Sequence, residues 1–222
     1  MNVTYIYHSC FLAETAECYY LFDYYKGNLP PLDAGKPMLV FVSHSHQDHY
    51  NPALFPLLRE MGMKQVTAIL PNDIKPHKYP YDCTLFKVYH SREYELPCHT
   101  RIRTLLSTDS GVAFLLTCPE GVFYHAGDLN DWVTEDTPQE ERRQMTGSYR
   151  AALRPLKDIS INHACLPLDP RLGSHYADGF LYFLRHINAE KVYPMHYWDK
   201  PDIVKQFLEE HPDCRERIVT SP

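Results

Sequence analysis

Short apolar blocks separated by polar turns dominate the first third of the chain. Residues 3–8, 11–13 and 18–24 are rich in aromatic and β-branched side chains and predict strands. Residues 27–37, with three prolines and two glycines, predict a surface loop. Residues 38–42 are apolar without a break, the pattern of a strand covered on both faces. They run directly into Ser43-His44-Ser45-His46-Gln47-Asp48-His49. A helix is expected next: Asn51 suits its N-cap, Pro52 its first turn, and Leu54, Leu57, Leu58 and Met61 form one apolar face. Gly62 ends it.

Further strands are predicted at 65–70, 83–89 and 101–107, and a hairpin at 112–124 turning on Pro119-Glu120-Gly121. Thr137-Pro138-Gln139-Glu140 matches a capping box and predicts a polar helix to about residue 153. A strand at 159–166 follows, then a helix carrying Tyr176, Phe180, Phe183, Leu184 and Ile187. A short strand at 191–195 and a helix around 203–208 complete the pattern. No repeat or linker divides it. A single domain spanning 1–222 is expected, an α/β protein whose sheets carry helices on their outer faces.

Composition narrows the setting. A chain of 222 residues buries a sizeable core without disulfides, and 44% hydrophobic with 23% charged residues is ordinary for a globular protein. A net charge of −6 argues against a nucleic-acid groove but leaves anionic small molecules open, because bound cations supply local positive charge. Seven scattered cysteines without a CxxC pair suit a reducing compartment. No basic and apolar leader opens the sequence, and no run approaches the ~20 apolar residues of a membrane span. A cytoplasmic location without a membrane partner is therefore expected.

The chemistry is concentrated just after the buried strand. Residues two apart in an extended segment project to one side, so His44 and His46 are placed to hold one cation. The turn that follows swings Asp48 and His49 toward a second. Neutral imidazoles suit zinc, iron and manganese, and a carboxylate adds charge balance. A polar loop with incidental histidines is the alternative reading.

The HxHxDH pattern at 44–49 resembles the metallo-β-lactamase superfamily. Gly127-Asp128, within Tyr124-His125-Ala126-Gly127-Asp128, matches the family's later Gly-Asp, and Pro194-Met195-His196-Tyr197 matches its late histidine. Together with His8-Ser9-Cys10-Phe11, these segments look most like the branch containing L-ascorbate-6-phosphate lactonase. That branch is cytoplasmic and acts on small phosphorylated or lactone-type compounds. The resemblance implies a four-layer αβ/βα sandwich with two divalent metal ions at the edge between its sheets, zinc first, with manganese or iron as alternatives. It implies His44 and His46 on one ion, Asp48, His49 and His196 on the other, and Asp128 between them. The family's third histidine on the first ion is missing from Leu106-Ser107-Thr108-Asp109-Ser110-Gly111. Asp109 is the candidate replacement, against an ordinary turn aspartate before glycine. As a ligand it would harden that donor set.

On this reading a bridging water loses a proton near neutral pH and attacks a carbonyl or phosphoryl centre, with Asp48 orienting the hydroxide. Arg171 is a candidate clamp for a carboxylate or phosphate, and His175 a candidate proton donor to the leaving group. A solvated arginine and a helix-capping neighbourhood around Ser174 are the alternatives. His8 reads first as a structural histidine, and second as a pocket residue or a support behind a metal ligand. The expected function is metal-dependent hydrolysis of a small anionic metabolite, a phosphoester or a lactone, with homo-oligomerisation left open. A non-catalytic metal-binding scaffold is the alternative that the missing histidine favours, and a nuclease of the same fold is disfavoured by charge. Iron-dependent oxygen chemistry is disfavoured because His46 stands where oxygen-reducing relatives carry glutamate.

Overall fold

Side chains that alternate across each strand build two sheets packed face to face. The computed structural model describes residues 1–220. Its first sheet holds β1 (Asn2–Tyr7), β2 (Cys10–Glu14), β3 (Tyr19–Phe22), β4 (Met38–Phe41), β5 (Val66–Pro71) and β6 (Thr84–Val88), side by side in that order. Strands β1 to β3 are antiparallel and β3 to β6 parallel, with α1 (Leu54–Glu60) in the crossover from β4 to β5. The second sheet holds β7 (Glu93–Leu96), β8 (Thr100–Leu106), β9 (Val112–Cys118), β10 (Gly121–His125), β11 (Ile161–Pro167) and β12 (Ala189–Met195). It mirrors the first: antiparallel from β7 to β10, then parallel to β12. The crossovers are α2 (Gln139–Leu153) and α3 (Asp178–His186), and α4 (Asp202–Glu210) follows β12.

Neighbouring residues show the layering. Phe22 stacks on Phe123 of the opposite sheet at 4.9 Å between ring centroids, while Leu21 and Val40 pack outward with Leu54, Phe55 and Leu58 of α1. Phe123 faces the first sheet, and the next residue, Tyr124, stacks on Phe183 of α3 at 5.4 Å. The order is helix, sheet, sheet, helix, the αβ/βα sandwich that the residue pattern and resemblance led us to expect.

At one edge the two sheets are stitched by backbone hydrogen bonds. Val112 N–H, at the start of β9, donates to the Ser43 carbonyl just beyond β4 (2.9 Å), and His196 N–H, just beyond β12, donates to the His8 carbonyl just beyond β1 (3.1 Å). Two glycines permit this closeness. Gly111 has φ +65°, and a Cβ on it would lie 2.0 Å from the Ser43 carbonyl oxygen; Gly127 has φ +51°, and its Cβ would lie 2.6 Å from Ser43 Cβ. Both conformations disfavour any side chain.

Some local expectations change. Edge strand β7 was not predicted, because Glu93-Tyr94-Glu95-Leu96 is short and charged; it forms by pairing with β8. Asn51 does organise the turn before α1, with its Oδ1 accepting the Ala53 N–H at 3.0 Å, but the helix itself starts at Leu54. The capping box at 137–140 does not form. Pro138 caps α2 without a side-chain bond, and Thr137 Oγ1 instead accepts the Thr134 N–H at 2.9 Å, so its hydroxyl serves the preceding turn.

The packing predicts a contrast between two glycines. Gly111→Ala should lower the unfolding free energy by roughly 2–5 kcal/mol, from left-handed strain plus overpacking. Gly147→Ala, inside α2 with open space around it, should raise it by about 1 kcal/mol. Urea denaturation of both variants checks the pair.

Candidate metal centre

Five separate ends of structure deliver ligand-type side chains to the stitched edge. His8 follows β1; His44, His46, Asp48 and His49 follow β4; Asp109 lies in the β8–β9 turn; Asp128 follows β10; His196 follows β12. They fall into two groups whose ligand atoms lie within 4.8 Å of one another: His44, His46, Asp109 and Asp128, and His8, Asp48, His49 and His196. Every metal-ligand candidate read from the sequence is therefore brought together, Asp109 included. His8, expected first as a structural histidine, joins them.

Asp128 faces both groups. Its Oδ2 lies 3.4 Å from His44 Nε2, while its Oδ1 lies 3.1 Å from His49 Nε2 and 3.2 Å from His196 Nε2. Within the first group His44 Nε2 and His46 Nδ1 are 2.9 Å apart, and His46 Nδ1 is 3.7 Å from Asp109 Oδ2. Within the second, Asp48 Oδ2 is 3.4 Å from His8 Nε2 and 3.8 Å from His49 Nε2.

The donor set fits divalent cations on an observation independent of any family pattern. His8 Nε2 is buried with no hydrogen-bond partner, and His49 Nε2, His196 Nε2 and Asp128 Oδ1 have none but one another. Leaving such groups unsatisfied costs about 1–3 kcal/mol apiece, and cations would engage all of them. Imidazole nitrogens and carboxylate oxygens in this mixture suit zinc, manganese or iron.

Buried groups behind these residues fix their orientation. Asp23, directly after β3 and 1% exposed, accepts from His49 Nδ1 (2.8 Å), Ser43 Oγ (2.6 Å) and Ser43 N–H (2.6 Å). Ser43 Oγ in turn lies 2.9 Å from His44 Nδ1. One carboxylate therefore orients two imidazoles, turning both Nε2 atoms toward Asp128. Asp169 does the same for His196, accepting from its Nδ1 at 2.8 Å, and is itself gripped by Arg171 Nε at 2.9 Å. Such supports raise ligand basicity and hold the tautomer. Asp23 and Asp169 were missed as functional residues. The available signal was an acid placed directly against a wholly apolar strand or loop, Tyr19–Phe22 in one case and Leu166-Pro167-Leu168 in the other.

The electrostatics follow from crowding in a dry site. Burial and the neighbouring His49 push His44 down to about 4. Burial opposes charge on His49, yet Asp128 and Asp23 together raise it well above the usual histidine range. Burial alone would raise Asp128, but His49 and His196 hold it well below the usual carboxylate range. Despite burial, Asp169 is held down to about 2 by His196 and Arg171.

Two further sequence candidates lie outside the ligand groups. Arg171 sits beside them, with a half-exposed side chain spent partly on Asp169 and its guanidinium 5.5 Å from the Trp198 ring centre. His175 has its Nδ1 on Asp178 at 2.7 Å and its Nε2 facing Arg142 at 3.0 Å. Neither ring nitrogen is left over for a leaving group.

A family model described as the beta-lactamase superfamily domain matches residues 2–144. No curated protein sequence matches the chain. Among solved structures, the fold is similar to a possible metal-dependent hydrolase from Veillonella parvula (13% identity, TM-score 0.63, 99% of this chain and 95% of that one). It is equally similar to an isothiocyanate hydrolase from Delia radicum gut bacteria (14% identity, TM-score 0.61, 99% and 95%). CmlA, a diiron β-hydroxylase from Streptomyces venezuelae, aligns over 97% of this chain and 52% of its own, at 14% identity and TM-score 0.56. At these identities the likeness is one of fold.

The support network makes a testable statement. Asp23→Asn should fold but weaken zinc affinity about 10- to 100-fold, the usual cost of losing a support behind a ligand. Competition against a chromophoric chelator measures it, and unchanged affinity would show that Asp23 only packs.

Proposed function

The chain belongs to the metallo-β-lactamase superfamily, and from that premise we propose that it is a metal-dependent hydrolase of a small anionic metabolite, a phosphoester or a lactone. The observation that carries this reading is Asp128, whose Oδ1 faces the buried His49 and His196 while its Oδ2 faces the buried His44, itself beside His46. His44, His46 and Asp109 would hold one divalent cation, Asp48, His49 and His196 a second, and Asp128 both, with zinc preferred over manganese or iron. Bound cations supply Lewis acidity and a nucleophile from water at neutral pH.

The protein's own share is orientation and charge. Asp48 is the partly exposed carboxylate of its group, placed to accept the hydrogen bond that aims an attacking water. Asp23, directly on His49 and through Ser43 on His44, and Asp169, directly on His196, would keep the ligand imidazoles from turning. Three ligand carboxylates, Asp48, Asp109 and Asp128, would leave two divalent cations one unit of positive charge in their own shell, while the Arg171 charge is matched by Asp169. An anionic substrate fits that surplus.

The segments His8-Ser9-Cys10-Phe11, His125-Ala126-Gly127-Asp128 and Pro194-Met195-His196-Tyr197 support placement in the branch containing L-ascorbate-6-phosphate lactonase. That placement favours a cytoplasmic enzyme, with residues 1–222 as one catalytic domain. Among the described residues no helix is long and apolar enough to cross a membrane. The net charge of −6 weighs against a nuclease.

Elemental analysis of purified protein should find up to about two equivalents of divalent metal. An activity screen with bis-(p-nitrophenyl) phosphate and a panel of lactones should then show turnover in at least one class. His46→Ala should reduce that turnover by about 100-fold or more, since it strips a ligand from the centre. No turnover with any added metal would replace the hydrolase by a binding scaffold.

A further inference from the structure

We propose that His8 is itself a metal ligand, and that with it the group His8, Asp48, His49 and His196 becomes the tighter of two unequal cation sites. This rests on the two-cation reading above. The His8 side chain is fully buried, yet neither of its ring nitrogens has a hydrogen-bond partner. Asp48 Oδ2 is 3.4 Å from its Nε2, beyond ordinary hydrogen-bond length. A histidine kept for packing looks different in this same molecule. His125, equally buried, donates from Nε2 to the Ser9 carbonyl at 2.8 Å and accepts the Gly127 N–H on Nδ1 at 3.1 Å.

The backbone also holds His8 in place at a cost. Its φ of +57° is left-handed for a residue with a side chain. The conformation is secured on both sides: the His8 N–H donates to Tyr5 Oη at 2.8 Å, and the His8 carbonyl accepts from His196 N–H at 3.1 Å. The result sets the His8 ring 4.3 Å from the His196 ring and 5.7 Å from the His49 ring, centre to centre. Strain of this kind persists where it positions a working group.

With His8 counted, the second group offers three imidazoles and Asp48, plus its share of Asp128; the first offers two imidazoles and Asp109, plus the same share. The groups also differ in preorganisation. His8, His49 and His196 are at most 2% exposed, whereas His46 and Asp109 are 52% and 43% exposed. Exposed donors surrender hydration and side-chain freedom when they ligate, and buried ones have already done so. The first equivalent of cation should therefore enter the His8 group, and the second should bind more weakly beside Asp109.

Zinc titration of the metal-free full chain against a competing chelator tests this. Two steps are expected, separated by about tenfold or more. His8→Gln should weaken the tight step by about 100-fold and leave the weak one in place, while Asp109→Ala should remove the weak step alone. Circular dichroism checks that each variant is folded. Should His8→Gln fail to fold, the wild type still decides: crystals grown with one equivalent of zinc should show anomalous density with a His8 nitrogen at about 2.0–2.3 Å. Density lying more than about 3 Å from the ring, or wild-type affinity in a folded His8→Gln variant, would overturn the proposal. If His8 ligates but no substrate is turned over, the hydrolase reading falls and this one stands.

Discussion

Asp128 carries its charge in a place water scarcely reaches, and three imidazoles, His44 and His49 from one segment and His196 from another, converge on its two oxygens. A carboxylate so buried is tolerable only if positive charge is shared with it. In the protein alone Asp128 raises His49 and His196, favouring protons there, while His44, buried and beside His49, is lowered. Divalent cations would meet the same demand with more charge and would also engage the lone pairs that hydrogen bonding leaves idle. Much else at this edge of the sandwich serves to keep that arrangement in register.

The supports are built with the same chemistry one step further out. Asp23 and Asp169 are buried carboxylates that serve as hydrogen-bond acceptors for the imidazoles around Asp128, and each is held by a partner of its own, Ser43 or Arg171. The backbone contributes through the close approach of Gly111 and Gly127 to Ser43, and through the bond joining the left-handed turns at His8 and His196. The sheets cannot slide past one another here without losing these bonds. Ligands borne on both sheets are thereby held at separations set by the backbone.

The two ligand groups differ in how they meet solvent. His46 and Asp109 stand half in water, while His8, His49 and His196 are buried. Arg171 and Trp198 sit beside the deeper group, with the guanidinium over the indole. Substrate approaching from solvent would meet the exposed pair and Arg171 first. The site is asymmetric in depth as well as in donors.

Much of this was legible in the chain. The apolar run at 38–42 followed by His44, His46, Asp48 and His49 marks a strand end carrying ligand-type side chains, because strand periodicity and residue chemistry are both local. The alternation that layers Phe22 against Leu21 and Phe123 against Tyr124 is equally local, and it carries the sandwich. Asp109 was legible only as a substitute in a familiar position. His8 was read first as structural, and Asp23 and Asp169 were missed, because an apolar neighbourhood marks burial without telling a buried acid or histidine with a partner from one without. Whether a polar atom is satisfied depends on groups distant in sequence, such as the Ser9 carbonyl that completes His125 and the missing partner that leaves His8 open. The chain by itself determined the elements, their faces and most of the donors. Tertiary packing decided which donors share a space, which carboxylates stand behind them and which nitrogens remain unpaired, since burial and hydrogen-bond satisfaction exist only once distant strands meet.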